Sequence, residues 1–151
     1  MDLSAELPIL LPKAVAWAEM QAETALASGS PLSESALALA REVGVRHAER
    51  VRIRVVDRIP RPDDAQLREA AIQTGLFGPD TVGLVIGYAV FVRAGFETSR
   101  RVLSHELRHV HQYECYGSIK AFLSVYLPQL VQFGYAGAPL ELDAAAHELA
   151  D

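Results

Sequence analysis

The stretch His105-Glu106-Leu107-Arg108-His109 places two histidines four residues apart in the last third of this 151-residue chain. Residues at that spacing lie one above the other on the same face of an α-helix. Apolar residues recur around them at helical spacing, and neither glycine nor proline interrupts residues 99–116. The pattern therefore predicts a helix over residues 99–116 that presents both imidazoles to one point, where they can bind one metal ion.

Glu106 lies one position round the helix from His105, so we expect its carboxylate to contact a metal-bound water rather than the metal. The H-E-x-x-H arrangement is the motif of zinc hydrolases, in which the glutamate acts as general base. A chance match in a chain of this composition has a probability of about one per cent. The alternative is an exposed helix with two surface histidines and a solvated glutamate. The sequence favours a zinc site at His105 and His109, with Glu106 as the base.

The composition is that of one globular domain over residues 1–151, since half of the residues are hydrophobic and 22% are charged. A net charge of −5 argues against binding to nucleic acid or to an anionic membrane. The single cysteine, Cys115, excludes an internal disulfide, and we expect it to be buried on the core side of its helix. The first residues lack the basic region of a signal peptide, and the apolar run at 7–11 is too short to cross a bilayer. These features predict a cytoplasmic protein.

The remaining pattern predicts an α+β fold, in which a mostly helical domain packs a small β-sheet on the motif helix. Strands are expected near residues 50–56, 82–86 and 89–93, the last two as a tight hairpin or as one strand bent at Gly87. The free edge of the strand before the motif helix could hold an extended peptide. Further helices are predicted over 12–28, 31–43, 63–74 and 119–131, the last kinked or broken at Pro128, and from Pro139 onward.

A tetrahedral zinc with two histidines and a water lacks one protein ligand. His111 is a poor candidate because it lies two residues beyond His109 and points to another side of the helix. His147 is a further candidate. Glu141 and Asp143 stand near the start of the last helix, after a glycine-rich loop long enough to turn the chain back over the metal. The spacing alone leaves the choice of third ligand open.

The motif, followed by Pro139-Leu140-Glu141-Leu142-Asp143-Ala144, resembles the gluzincin metallopeptidases in a short form. Their third zinc ligand is a glutamate on a downstream helix, in patterns such as E-x-x-A-D or E-x-E-A. Matching that pattern assigns the role to Glu141, with Ala144 at the matching alanine. The segment from Leu103 to Gln112 is also similar to bacterial domains of uncharacterised zincin type. The resemblance covers about residues 82–148 and is specific at five or six positions.

The resemblance implies a minimal zincin-like metallopeptidase, with zinc held by His105, His109 and Glu141 and with a peptide or protein as substrate. The oxyanion donor could then be Tyr126, Tyr135 or His147. Longer gluzincins carry an aspartate where this chain has Ala145. That aspartate orients a zinc histidine, so its role falls here to another group. The chain also lacks the large second subdomain of full-length proteases. A different class of function, a structural or regulatory zinc domain without turnover, fits the small size.

Overall fold

A computed structural model describes residues 1–151 and confirms the α+β prediction, with about 60% of the chain in six helices and the remainder built around a four-stranded mixed sheet. None of the helices combines the length and the apolar character that crossing a membrane requires. A short 3₁₀ turn, Ala48–Arg50, precedes the second strand. The elements in chain order are α1 (Leu3–Ser28), β1 (Ser30–Pro31), α2 (Glu34–Glu42), β2 (Arg52–Val56), α3 (Ala65–Gln73), β3 (Gly83–Ile86), β4 (Ala89–Arg93), α4 (Arg100–Tyr116), α5 (Ile119–Gly137) and α6 (Pro139–Ala146).

The sheet has the strand order β1-β2-β4-β3. β4 lies inside it, parallel to β2 and antiparallel to β3, with Ile53 opposite Val90 and Leu84 opposite Phe91. Its continuous apolar run is buried, as expected for a strand covered on both faces. Of the two alternatives for residues 82–93, the hairpin is correct, and it turns at Gly87, whose φ of +62° suits glycine. β4, the strand before the motif helix, therefore has no free edge for an extended peptide, contrary to the prediction, and β3 lies at one edge of the sheet instead.

The motif helix α4 buries an apolar side and a polar side. Ser99 caps its first turn by accepting a hydrogen bond from the backbone N–H of Val102, and Gly117 ends it with a φ of +88°. Leu107 and Val110 are fully buried in the main apolar core. The helix also buries four polar side chains, Ser104, Glu106, His109 and Gln112. Buried polar groups need partners, so this second side marks a site rather than core.

The first helix differs from its prediction, because α1 begins at Leu3 rather than at Pro12 and contains both Pro8 and Pro12. Each proline removes one backbone hydrogen bond from the helix. Tertiary packing offsets that loss. The early turns of α1 join α3 in an apolar cluster of five buried residues: Leu3, Leu10, Ala14, Leu67 and Ala70.

The strand bounds shift slightly, because the strand expected near 50–56 begins at Arg52, after the 3₁₀ turn, and the one near 82–86 begins at Gly83. Residues 30 and 31 form β1 rather than a helix start, because Ser30 pairs with Ile53. The cap of α2 is Ser33 instead.

Two further predictions near the site are wrong. α5 continues through Pro128 and breaks at Gly134, where a φ of +73° and a ψ of 171° leave the helical region. Cys115 is exposed rather than buried, because the core side of α4 is taken by Leu107, Val110 and Tyr113.

Candidate metal centre

α4 and α6 bring three metal-ligating side chains to one point. His105 Nε2 lies 3.1 Å from Glu141 Oε1, and His109 Nε2 lies 3.0 Å from Glu141 Oε2. One ligand atom from each residue lies within 4.8 Å of the other two. His109 is 7% exposed and Glu141 5% exposed. This three-donor cluster of His105, His109 and Glu141 could hold a metal ion.

The break in α5 delivers Glu141 to the histidines. After Gly134 leaves the helical conformation, the chain turns and Pro139 opens α6. The side chain of Gln129 accepts a hydrogen bond from the backbone N–H of Leu140 at 3.0 Å, and the Tyr126 hydroxyl donates to Glu141 Oε2 at 2.7 Å. α5 therefore fixes both the first turn of α6 and the carboxylate that the turn carries.

The hydrogen bonds around His109 determine which of its ring nitrogens carries a proton. Gln112 Nε2 donates to the carbonyl of Leu140 and to Asp143, each at 2.9 Å, so the amide oxygen of Gln112 is the atom that faces His109. His109 Nδ1 lies 2.8 Å from that oxygen and must donate to it. In the neutral imidazole the lone pair is then on Nε2, which points at Glu141.

His105 is held in the same way by a carboxylate, because its Nδ1 lies 2.8 Å from Glu148 Oε2. If both imidazoles are neutral, two Nε2 lone pairs face one carboxylate, and such a set of acceptors needs positive charge between its members, from protons on the two Nε2 atoms or from a metal ion. A metal ion supplies it for both histidines at once. Two ligand atoms bound to one tetrahedral zinc ion lie about 3.3 Å apart. Each imidazole Nε2 lies at a similar distance, 3.1 or 3.0 Å, from a different oxygen of Glu141. The donor set therefore fits a metal ion.

The pKa values within the cluster follow the same electrostatics. Burial lowers the pKa of an imidazole, but the hydrogen bond to Glu141 and the charges of Glu106 and Glu141 outweigh burial and raise the pKa of His105 to about 9. The pKa of His109 is raised in the same manner, against burial. For Glu141, hydrogen bonds from both histidines outweigh burial and hold its pKa well below the usual range. The cluster favours positive charge between its donors.

Glu106 stands apart from these hydrogen bonds. Its side chain is 7% exposed, makes no hydrogen bond within the protein and lines the cavity beside the cluster. Burial raises the pKa of its carboxyl group, and the charges of His109 and His105 oppose that rise. Gly83 of β3 passes so close that a Cβ atom there would overlap the Glu106 carboxylate. Only glycine at this position leaves the carboxylate its place.

The other candidates for third ligand are engaged elsewhere. Asp143 accepts hydrogen bonds from Arg108 Nε at 2.8 Å and from Gln112, and the Arg108 bond is the main reason its pKa is lowered. His111 Nδ1 donates to the carbonyl of Gly44. His147 Nδ1 donates to the carbonyl of Asp143. The structure brings Glu141 alone of the four to His105 and His109.

The three candidate oxyanion donors differ in whether they line the cavity and in whether their hydroxyl or ring is already engaged. The Tyr126 hydroxyl is buried and already donates to Glu141. His147 does not line the cavity beside the cluster. Tyr135 lines that cavity together with Glu106 and is 37% exposed. Burial raises the pKa of the Tyr135 hydroxyl, and the Glu141 carboxylate raises it further through its charge and through hydrogen bonding, so the hydroxyl is a protonated donor beside the cluster.

The residues that orient the histidines were not predicted. Gln112 lies three residues after His109, and that helical spacing was a usable signal. Glu148 lies beyond the end of α6, where no periodicity places it. The C-terminal segment docks on α4, because the backbone N–H of Leu149 donates to Ser104 Oγ at 2.9 Å. Asp151 reinforces this docking by accepting hydrogen bonds from the start of α4. Glu148 thus contacts the His105 ring only because the C-terminal segment docks on α4.

Comparisons of this chain with models of protein families, with curated proteins and with solved structures find no match.

Proposed function

We propose that this chain is a zinc-dependent metallopeptidase whose zinc is held by His105, His109 and Glu141. The observation that carries the proposal is the convergence of two imidazole Nε2 atoms on one buried carboxylate, beside a glutamate with no partner. Two histidines and a glutamate leave a fourth position open, as in catalytic zinc sites, whereas structural sites are closed by four protein ligands. Imidazole and carboxylate donors suit zinc.

The chain's own residues divide the work of peptide hydrolysis. When bound, zinc supplies a Lewis acid that makes water more acidic and polarises a carbonyl group. Glu106 accepts the proton of the attacking water and transfers it to the leaving amine. Tyr135 donates a hydrogen bond to the oxygen of the scissile carbonyl as it gains charge. Tyr126 keeps Glu141 in place, and the outer edge of β3 offers backbone groups to an extended peptide.

A structural or regulatory zinc domain is the second candidate. It is supported by the way the cluster ties α4 to α6, because zinc would then stabilise the docking of the C-terminal helix on the rest of a small core. The two candidates share the zinc ligands and differ in Glu106, which only the peptidase needs. A fully metallated protein that cleaves no peptide in a broad library would favour this second function.

Metal analysis tests the zinc site directly. We expect wild-type protein to hold about one zinc per chain, and the His105→Ala/His109→Ala double variant to hold almost none, because imidazoles are two of the three protein ligands. His47→Ala/His111→Ala is the matched control, since both of these histidines lie outside the cluster. Elemental analysis after dialysis against a weak chelator gives the stoichiometry. Equal zinc in wild-type protein and in the double variant of the cluster would overturn the proposal.

The role of Glu148 gives a smaller expected effect. Glu148→Ala removes the acceptor for His105 Nδ1, so zinc affinity should fall about 10- to 100-fold while the secondary structure stays the same. Glu42→Ala, an exposed glutamate on α2, is the control. Competition with a chromophoric chelator measures both affinities. Unchanged affinity in the Glu148 variant would show that the contact does not orient the ligand.

A further inference from the structure

A cavity of about 430 Å³ opens beside the three-donor cluster and is walled by α1, α3, β3, α4 and α5. Among its acidic and histidine lining residues, three belong to the site, namely Glu106, His109 and Glu141. A fourth, Asp80, is exposed. The rest of the lining is mostly apolar. This apolar cavity therefore has one polar end, at the candidate metal centre, and the rest of its lining carries no charged residue except the exposed Asp80.

The walls away from the cluster favour a large uncharged occupant. Trp17 meets Phe77 edge-on with ring centroids 6.5 Å apart, and Leu10, Leu67 and Leu127 add aliphatic surface. An ionised side chain would find no partner among these residues, and burying it unpaired is strongly unfavourable. A cavity of about 150 Å³ accommodates benzene. The larger space here accommodates a bulky side chain together with part of the backbone that carries it.

The edge strand indicates what kind of molecule carries that side chain. Residues of β3 line the cavity, and its outer edge has no partner strand. An extended peptide paired with β3 would point alternate side chains to opposite faces, one of them toward the cavity. Gly83 places this edge against Glu106, so the paired backbone would pass beside the general base. A free acyl chain has no backbone amide groups that could form hydrogen bonds with this edge.

We infer that the apolar cavity is a specificity pocket for a large apolar side chain, foremost an aromatic one, next to the scissile bond of a peptide substrate. The inference rests on the proposed function and deepens it. Full burial of such a side chain stabilises binding enough for a preference of about 10- to 100-fold over alanine at the same position. Aspartate at that position should be disfavoured further.

Capped pentapeptides test the inference, with alanine at every position except the middle one, which is phenylalanine, alanine or aspartate. Calorimetry gives the affinity of the zinc-loaded wild-type protein for each peptide, and mass spectrometry detects any cleavage. Phenylalanine should exceed alanine by about 10- to 100-fold in affinity or in kcat/KM. N-octanoylglycinamide serves as the acyl-chain probe and should bind more weakly than the phenylalanine peptide.

Cavity-filling variants locate the binding. Ala14→Leu on α1 and Ala70→Leu on α3 add bulk to the lining, and each should reduce the phenylalanine preference tenfold or more. Ala16→Leu is the matched control, because residue 16 is exposed on the same helix and does not line the cavity. Circular dichroism verifies that each variant folds. The two variants change different walls of the cavity. The peptide series on wild-type protein tests the preference for phenylalanine even if neither variant folds.

The outcomes separate the inference from the proposed function. Tight binding of the phenylalanine peptide that Ala14→Leu or Ala70→Leu abolishes, without any cleavage, would support the pocket and contradict the peptidase. Cleavage with no preference for phenylalanine over alanine would overturn the pocket and support the peptidase. Stronger binding of N-octanoylglycinamide than of the phenylalanine peptide would overturn the inference in favour of an acyl-chain site.

Discussion

Glu106→Gln is expected to keep zinc and to lose peptidase activity by a factor of about 10²–10⁴, the usual contribution of a general base. The amide has nearly the shape of the carboxylate but cannot accept the proton of the attacking water. Glu106 has no hydrogen-bond partner in the protein and is not one of the three donors, so the change should not disturb the metal. The loss should therefore appear in kcat with unchanged zinc content.

The measurement needs a working substrate, for which an unstructured protein or a peptide library is suitable. Zinc content by elemental analysis and cleavage by mass spectrometry are compared for wild-type protein, Glu106→Gln and Glu114→Gln. Glu114 lies on the same helix but binds the backbone of Arg46 and His47, outside the cavity, so its variant should retain activity. A Glu106→Gln protein as active as wild type would show that Glu106 is not the base.

The position of the Glu106 side chain depends on Gly83, for a steric reason. The Glu106 side chain fits against a backbone without a Cβ atom, so its position depends on a strand more than twenty residues away in sequence. In the sequence, Gly83 was only one residue of a β-rich run. Close approach of two elements is a property of tertiary packing, and no local pattern encodes it.

Local patterns predicted the parts of the fold that local physics determines. The apolar spacing around the motif predicted α4, and the β-rich runs around Gly87 predicted the two strands, with the hairpin as one of two alternatives. The start of α1 was missed because packing against α3 overrides the prolines of its first turns. A kink or break in α5 was expected at Pro128, but the helix leaves the helical conformation only at Gly134, at the start of the glycine-rich loop predicted before the last helix. At the prolines of α1 and at Pro128 of α5, local helix propensity predicts an end or a kink, but the helix continues because of its tertiary packing.

The residues of the site also fall into those that local sequence patterns predicted and those that depend on tertiary structure. His105, His109 and Glu106 were indicated by spacing on one helix, and Glu141 by a resemblance of pattern. Glu148 could not be predicted, because it reaches His105 only after the C-terminal segment docks on α4 through Ser104. A side chain that orients a metal ligand often comes from another element, so only the tertiary structure shows which residue it is. Two ligands on one helix follow its 3.6-residue repeat, which can be read from the sequence.

The choice between Glu141 and Asp143 leads to the other large effect. Side chains two residues apart on a helix project about 200° apart, so only one of the pair can face the histidines. Glu141 does so, while Asp143 holds Arg108 and Gln112. Glu141→Ala should therefore weaken zinc binding by more than about a hundredfold, beyond the effect typical of an orienting residue.

Asp143→Ala makes the same chemical change two residues away and is the matched control. It leaves Arg108 without its carboxylate, so we expect a lower melting temperature, and zinc affinity within about tenfold of wild type because Gln112 keeps its bond to the Leu140 carbonyl. Zinc affinities of the two variants are compared by chelator competition under identical conditions. If the Asp143 variant lost zinc while the Glu141 variant retained it, the third ligand would be the aspartate, and α6 would have to rotate to present it.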